Sequence, residues 1–278
     1  MTNTNSLGKN MIDISLATRH QIVHTPEAAN MVFSAMERAG IRLEFYNKIE
    51  PVNVPFSKEQ AAELWVSGSR VSPKRNIFFA RCTKPRVNLH VSWETCDDAD
   101  CISNITIDMH KGTFLKNQET MTTLFKELIT FFSPVHAYVG SQAGFFRQGG
   151  AVWAAIPGVY WLNYYGFEYV DYIGMSNIIN CGWVKTEPFY NGLLTWTGHN
   201  IDVTDASLRH MENLYRERLG TQYFRSAESK FAKSIPPELL KIRDRMVGEN
   251  PTELEKDFLK MLAKKKLNKN NAEYVLGE

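Results

Sequence analysis

Hydrophobic and polar residues alternate along two stretches in the first half of the chain. In Arg86–Glu94 and again in Asn104–His110 every second residue is apolar, and an acidic loop separates the two stretches. A period of two is typical of a strand that buries one face and leaves the other in water. We therefore predict an antiparallel hairpin whose polar faces coincide. The other predicted strands are Ile41–Tyr46, Asn76–Cys82 beside the hairpin, Val159–Tyr164, Gly182–Lys185 and Leu193–Thr197.

Apolar residues at helical spacing predict helices around these strands. Pro26–Ala39 is flanked by residues that typically start and end a helix, with Thr25 as N-cap and Gly40 just after the last turn. The other predicted helices are Ser57–Trp65, Met121–Phe132, Gly166–Ile173 and Asp205–Leu219. A helix that is apolar along one stripe packs that stripe on a sheet face. The predicted fold class is therefore α+β, with a mixed, largely antiparallel sheet covered by helices.

A change in composition near the end of the chain predicts how it is divided. Residues 1–225 hold all of these elements and are predicted to form one α+β domain. Residues 226–278 are predicted to form a helical C-terminal extension, packed on that domain or tethered to it. Within it, Pro251–Leu267 has a narrow apolar stripe opposite a lysine-rich face. A solvated surface is the ordinary interpretation of Lys264–Lys266, and a nucleic-acid or protein contact is the alternative.

The overall charge and hydropathy argue against several classes of partner. The 278 residues carry a net charge of +2, from 32 basic and 30 acidic side chains, so no global field attracts nucleic acid or an anionic membrane. No apolar run approaches the roughly 18 residues of a membrane span, and Met11–Leu16 is too short for a secretory leader. The 4 cysteines are too few for a disulfide scaffold. We therefore expect a soluble cytoplasmic protein with reduced thiols. The sequence leaves open whether the protein forms a homo-oligomer.

The sequence contains none of the common catalytic templates. It has neither a Walker-type phosphate loop nor a dinucleotide-binding glycine pattern, and no serine lies in a glycine-flanked nucleophile elbow. The solvent-exposed face of the predicted hairpin carries His90, Asp108 and His110. Cross-strand neighbours on such a face lie within roughly 5–8 Å of each other. An enzyme of unknown chemistry on that face, or a metal held there, is the alternative hypothesis, and an ordinary wet sheet face is the simpler one. We predict no catalytic residue, no metal and no cofactor.

Two features favour a binding function. Four carboxylates form an acidic loop at the tip of the predicted hairpin, at Glu94, Asp97, Asp98 and Asp100. Such a loop can steer a basic partner, although aspartates are also common in solvated turns. Tyrosine and tryptophan are concentrated between residues 158 and 174, and they suit both a buried strand and an interface anchor. Most of these rings are predicted to be core, with one of the two alternating sets exposed.

The aromatic segment also carries a family resemblance. Pro157–Gly174 contains proline-glycine, an aromatic residue, tryptophan, asparagine-tyrosine, glycine, glutamate-tyrosine-valine and a closing isoleucine-glycine. This order resembles the central signature of immunity proteins from bacterial polymorphic-toxin and type VI secretion systems, such as immunity protein family fifty-two and a related type VI immunity family. The layout of helix, sheet, long helix and aromatic motif over residues 25–200 is similar as well.

The resemblance implies a function and a partner. Such a protein neutralises a cognate antibacterial toxin by direct binding and occlusion, and the family is often paired with nucleases of restriction-endonuclease fold. Because this chain is not acidic overall, either the loop around Asp97 supplies the charge that complements a nuclease surface, or the toxin attacks something other than nucleic acid. Partner-binding residues are therefore expected in that loop and along the signature, at Glu94, Asp97, Asp98, Asp100, Trp161, Tyr164, Tyr165, Glu168 and Asp171.

Overall fold

One antiparallel sheet organises the chain in a computed structural model that describes residues 10–72, 75–94, 102–148, 158–202 and 204–224. The strands are β1 (Met11–Arg19), β2 (Phe45–Asn47), β3 (Val54–Pro55), β4 (Ser69–Ser72), β5 (Arg75–Thr83), β6 (Arg86–Glu94), β7 (Ile102–His110), β8 (His136–Ser141), β9 (Leu162–Tyr165), β10 (Lys185–Phe189) and β11 (Gly192–Trp196). The helices are α1 (His20–Val23), α2 (Pro26–Arg38), α3 (Lys58–Ser67), α4 (Lys111–Lys116), α5 (Gln118–Phe132), α6 (Gln142–Arg147), α7 (Phe167–Ile173), α8 (Met175–Asn180) and α9 (Asp205–Leu219), followed by a 3-10 turn at Thr221–Tyr223.

The strand order is β10–β11–β9–β8–β1–β7–β6–β5–β2–β3, and β4 also pairs with β5. Every pairing among the described strands is antiparallel. The predicted α+β class is confirmed, and the described part of the sheet is purely antiparallel instead of mixed.

The hairpin and the first long helix form where the sequence predicts them. Strands β6 and β7 pair with Asn88 opposite Asp108 and His90 opposite Thr106, so their polar faces coincide. Helix α2 begins after Thr25, whose hydroxyl accepts a hydrogen bond from the backbone N–H of Ala28 at 3.1 Å. The capping residue of the helix and the alternation of apolar residues in the strands were sufficient to predict these elements.

The centre of the sheet differs from the prediction. Strands β1 and β8 were not predicted, yet β1 lies between β7 and β8 in the middle of the strand order. The predicted strand Ile41–Tyr46 is reduced to β2, at Phe45–Asn47, and the strand predicted at Gly182–Lys185 starts at Lys185 and continues to Phe189. These corrections concern strands whose partners lie far away in the sequence or whose ends depend on tight turns.

The inner face of the sheet supports the main core. Ile14, Leu89 and Ile107 point to this face and are fully buried against helices α2, α3 and α5. Helix α5 contributes the apolar stripe that the sequence predicts, at Met121, Leu124, Phe125, Leu128, Ile129 and Phe132. Burial of this stripe holds the helix on the sheet, because each large apolar side chain removed from water stabilises the fold by about 1.5–3 kcal/mol.

The outer face of the sheet is divided into two halves. Over β8, β9 and β11 it is covered by α7, α8 and α9, which build a second core around Tyr165, Ile178 and Cys181. The ring of Trp183 stacks on Tyr215 of α9 at 4.3 Å, which fixes that helix to the second core. Over β7, β6, β5 and β2, the same face carries half-buried side chains.

The predicted helical extension at residues 226–278, including Pro251–Leu267, lies outside the described residues. Within the ranges that are described, no helix is both long and apolar enough to cross a membrane.

Candidate partner-binding face

The uncovered half of the outer face is the candidate functional site, and we call it the open face. Its residues point outward from four adjacent strands and all are half-buried: Phe45, Ile77, Phe79, Arg81, Asn88, His90, Ser92, Asn104 and Thr106. The helices that contact β5, β6 and β7 contribute to the core on the opposite side of the sheet. Among the described helices, none therefore shields this surface from a partner.

Aromatic and cationic side chains pack side by side on the open face. The Phe79 ring meets His90 edge to face at 5.0 Å, and the Arg81 guanidinium lies 5.3 Å from the centre of the Phe45 ring. These contacts hold large side chains in fixed positions on the open face. Ordered aromatic and arginine side chains are typical of the residues that dominate protein–protein binding energy.

Two polar atoms on the open face are left unsatisfied. Arg81 Nε and Asn104 Oδ1 are buried, and neither has a hydrogen-bond partner among the described residues. Buried polar groups in native proteins are nearly always paired with protein or water, so unpaired ones call for an explanation. Both atoms are shielded from solvent, so a new hydrogen bond to either one requires the neighbouring side chains to move.

A cluster of polar side chains lies where the open face meets β1. Asp108 accepts a hydrogen bond from Asn88 Nδ2 at 2.7 Å, and its other carboxylate oxygen lies 3.1 Å from His90 Nε2. Asp13 stands opposite Asp108 on the neighbouring strand and accepts a 3.5 Å hydrogen bond from Gln142 of α6. Both carboxyl groups are buried, with 3% of Asp13 and 6% of Asp108 exposed.

The proton equilibrium of Asp13 is strongly perturbed. Its pKa is raised from 3.8 to about 7, mainly by burial and secondly by repulsion from Asp108. The opposing influences of His90 and the Gln142 hydrogen bond are smaller. A buried carboxyl group beside a second one is unfavourable when ionised, and such arrangements are concentrated at functional sites.

The alternative hypothesis of chemistry at His90, Asp108 and His110 is only partly matched by the geometry. His90 and Asp108 meet, but His110 does not join them, because its Nδ1 caps helix α4 by accepting from the Gly112 N–H at 3.1 Å. Over the described ranges, no group of three or more histidine, cysteine or acidic side chains could hold a metal ion. Asp13 has a pKa suited to proton transfer, but its burial leaves no path to a substrate.

Most of the predicted partner contacts along the aromatic signature lie in the core instead. Trp161, Tyr164, Tyr165 and Glu168 are all buried, so they offer almost no side-chain surface to a partner, while Asp171 is exposed. Trp161 Nε1 donates to the Gly198 carbonyl at 3.1 Å, and the Tyr164 hydroxyl donates to Asn191 Oδ1 at 2.5 Å.

Neither alternating set of the aromatic strand is exposed. The set of Tyr160, Leu162 and Tyr164 is buried, and so is the set of Val159, Trp161 and Asn163. The reason is that β9 lies inside the sheet, with core on one face and α7 on the other.

The predicted acidic loop keeps its position in the topology. Glu94 ends β6, and β7 begins at Ile102, so the loop connects two of the four strands of the open face. Asp97, Asp98 and Asp100 lie outside the described residues, and no side-chain contact of Glu94 is described. The expectation that these carboxylates bind a partner remains a prediction.

Sequence reasoning missed Asp13 and the open-face residues Phe79 and Arg81. A weak indication was present, because Ile12, Ile14 and Leu16 alternate with Asp13 and Ser15 in the pattern of a half-buried strand. The pairing of Asp13 with Asp108 depends on the register of strands 95 positions apart, which periodicity cannot provide.

Comparisons with known proteins place the fold. No family model matches the chain, and no curated protein matches it. Among solved structures, a type VI secretion system protein of Pseudomonas aeruginosa, PA0821, is similar to it with a TM-score of 0.50 and 11% identity, over 87% of this chain and 88% of that one. The chain thus shares its overall fold with a protein of a bacterial secretion system, in agreement with the resemblance of Pro157–Gly174.

A second solved structure also matches, over a smaller region. It is the toxic C-terminal tip of CdiA from Pseudomonas aeruginosa in complex with immune protein, with a TM-score of 0.28 and 10% identity, over 48% of this chain and 86% of that chain. A TM-score of 0.28 is too low to indicate a common fold.

Proposed function

We propose that this chain is an immunity protein that binds a cognate antibacterial toxin and neutralises it by occlusion. The observation that carries the proposal is the open face, a four-strand surface of half-buried aromatic, cationic and amide side chains that no described helix covers. The resemblance of Pro157–Gly174 to immunity proteins and the fold shared with a type VI secretion system protein support it. Because fold alone does not assign function, the surface has to supply the mechanism.

Docking of the toxin on the open face fits this sheet better than addition of a toxin strand to the outermost strands, β10 and β3. The last strand at one end, β10, contains Pro188, and the last strand at the other end, β3, contains Pro55. Proline has no N–H to donate to an added strand, and it is a common means of blocking a sheet edge. The side chains of the open face therefore make the contacts in this proposal.

The acidic loop is the proposed source of charge for the contact, and its residues 95–101 lie outside the described ranges. It joins β6 to β7 next to Ser92 and Asn104, and it carries Asp97, Asp98 and Asp100 on a chain whose net charge is only +2. Complementary charge accelerates association and selects the partner more than it adds affinity. A basic toxin surface, such as the phosphate-binding surface of a nuclease, is the matching partner in this proposal, and both proteins would meet in the cytoplasm.

Co-expression tests the proposal directly. The toxin-like gene product encoded beside this chain is expressed in bacteria with and without it, and growth and co-purification are measured. We expect rescue of growth together with a stable complex. Continued growth arrest with no complex, for every neighbouring gene product, would refute the proposed function.

The role of the acidic loop has a separate test. Combined Asp97→Asn, Asp98→Asn and Asp100→Asn should slow association with the toxin and weaken its salt dependence. Glu217→Gln, an exposed carboxylate on α9, removes charge elsewhere and is the matched control. If both changes slow association equally, the effect is one of non-specific charge, and the acidic loop has no special role in binding the toxin.

A further inference from the structure

Two buried carboxyl groups underlie the edge of the open face. Asn88, Asp108 and Asp13 follow one another across β6, β7 and β1, because Asn88 is in register with Asp108 and Asp108 with Asp13. His90 Nε2 lies 3.1 Å from a carboxylate oxygen of Asp108, and 45% of the His90 side chain is exposed. Facing residues on neighbouring strands are roughly 5 Å apart. A charge placed on the open face beside His90 therefore lies close to both carboxyl groups.

The charge of an ionised Asp13 is poorly compensated. From β7 it meets the carboxyl group of Asp108, which repels it, and from β6 it meets His90, whose opposing influence is smaller. From α6, Gln142 donates a hydrogen bond of 3.5 Å, which is long for such a contact. Arg147 is the charged residue of α6, and it pairs with a carboxylate of α9 instead. Ionisation of Asp13 in the free protein is therefore unfavourable.

Tyr138 on β8 and Tyr160 before β9 are two further titratable neighbours of Asp13. Burial is the main cause that raises the pKa of each hydroxyl, and the negative charge of Asp13 is a smaller one. The two neutral phenols therefore bring no compensating charge. Over the described ranges, no lysine or arginine forms an ion pair with Asp13 either.

Docking of a partner changes the charge around Asp13 more than its contact with water. Only 3% of Asp13 is exposed in the free protein, so covering the open face removes almost no further water from it. A positively charged side chain of the partner acts on Asp13 through a dry interface, where charges are weakly screened. An opposite charge within about 4–6 Å lowers the pKa of a carboxyl group by about 1–3 units. A basic partner therefore drives Asp13 towards its ionised form.

We propose that docking of a basic toxin on the open face expels the proton that Asp13 holds in the free protein, so that the complex becomes tighter as the pH rises. This inference rests on the proposed immunity function and specifies the chemistry of its contact. The O–H bond of the Asp13 carboxyl group breaks, and the proton passes to the solvent. A lysine or arginine of the toxin beside His90 compensates the carboxylate that remains. The proton and the cationic side chain of the toxin thus compete for Asp13.

Isothermal titration calorimetry of the full chain with the toxin measures the released proton. Titrations at pH 7 in phosphate and in Tris, whose ionisation enthalpies differ, give the number of protons released per complex. A bound-state pKa about one unit below the free value of about 7 predicts release of about 0.4 proton, and an affinity about fivefold higher at pH 8 than at pH 6. Proton uptake by the wild type, or an affinity that falls as the pH rises, would overturn the proposal.

Asp13→Asn keeps the shape of the side chain and removes its exchangeable acid proton. This variant should still bind the toxin, release about 0.4 proton fewer than the wild type at pH 7, and lose the fivefold gain in affinity between pH 6 and pH 8. Glu217→Gln, at an exposed position on α9, is the matched control and should behave like the wild type. Equal proton release by the wild type and Asp13→Asn would assign the proton to another group and exclude the role of Asp13.

NMR of the Asp13 side-chain carboxyl in the free protein tests the charge coupling without toxin. The pKa of Asp13 should be about 7, and His90→Gln, which removes the neighbour that favours the ionised form, should raise it. His199→Gln, at an exposed histidine outside the open face, is the control and should leave it unchanged. A pKa of Asp13 near 4, or one that does not respond to His90→Gln, overturns the proposal even if a complex forms.

The two proposals fail in different ways. Absence of any complex with toxin refutes the proposed function and this inference with it. A stable complex that rescues growth but releases no proton from Asp13 refutes the inference alone.

Discussion

Replacement of Asp13 by asparagine should make the protein more stable at neutral and alkaline pH. Asp13 is buried opposite Asp108, and its pKa is raised from 3.8 to about 7 by burial and by that neighbouring carboxylate. Asparagine has nearly the same shape, and its Oδ1 can still accept the hydrogen bond from Gln142. Its amide can also donate to Asp108, which an ionised Asp13 cannot do.

The size and pH dependence of the effect follow from the two pKa values. The unfolded chain releases the Asp13 proton near pH 3.8, whereas the folded protein holds it up to about pH 7. The free energy of unfolding of the wild type therefore falls as the pH rises through this window. At 1.36 kcal/mol per pKa unit the full loss is about 4 kcal/mol above pH 7, and about 2 kcal/mol of it is present at pH 5.

Urea unfolding of both proteins at pH 5 and at pH 8 measures this difference. Asp13→Asn should exceed the wild type by about 4 kcal/mol at pH 8 and by about 2 kcal/mol at pH 5. Asp171→Asn, at an exposed position on α7, is the control and should change the stability by less than about 0.5 kcal/mol. An Asp13→Asn variant that is less stable than the wild type at pH 8 would refute the reasoning.

Three further substitutions test other parts of the structure. His136 is fully buried with a pKa lowered to about 3 by burial, so the wild type should lose stability as the pH falls from 6.5 towards 3, and His136→Phe should remove most of that loss in urea unfolding. Glu212→Gln leaves Arg147 without its mostly buried counter-ion and should lower the free energy of unfolding by about 3 kcal/mol, whereas replacement of both by methionine should cost less. Thr25→Ala removes the cap of α2 and should lower the melting temperature by an amount equivalent to about 1 kcal/mol, with Asn30→Ala at an exposed position inside the helix as the control.

Elements with strong local patterns could be predicted from the sequence. The β6–β7 hairpin alternates cleanly, and α5 has its apolar residues at helical spacing before Pro134. In both cases, the pattern within one element determines which side is buried. The wet side of the hairpin, including His90, was therefore correctly placed on the face that became the candidate site.

The identity of the site could not be predicted in the same way. Strand β1 pairs with β7 and β8, whose partner residues lie more than 80 positions further along the chain, so its central place and the contact of Asp13 with Asp108 depend on long-range register. The aromatic signature misled the prediction of contacts for a related reason. Tyrosines such as Tyr165 suit a buried strand and an exposed anchor equally well, and only the packing of α7 on β9 shows that this one is core.

The affinity of the toxin for an open-face variant is the most direct test of the account. Ile77→Arg places a charge on the open face in β5, and Val184→Arg makes the same kind of change at an exposed position beside β10. We predict that Ile77→Arg raises the calorimetric Kd for the cognate toxin at least about thirtyfold, while Val184→Arg stays within about twofold of the wild type. Wild-type affinity for Ile77→Arg together with weakened binding by Val184→Arg would contradict the central claim that the open face receives the toxin.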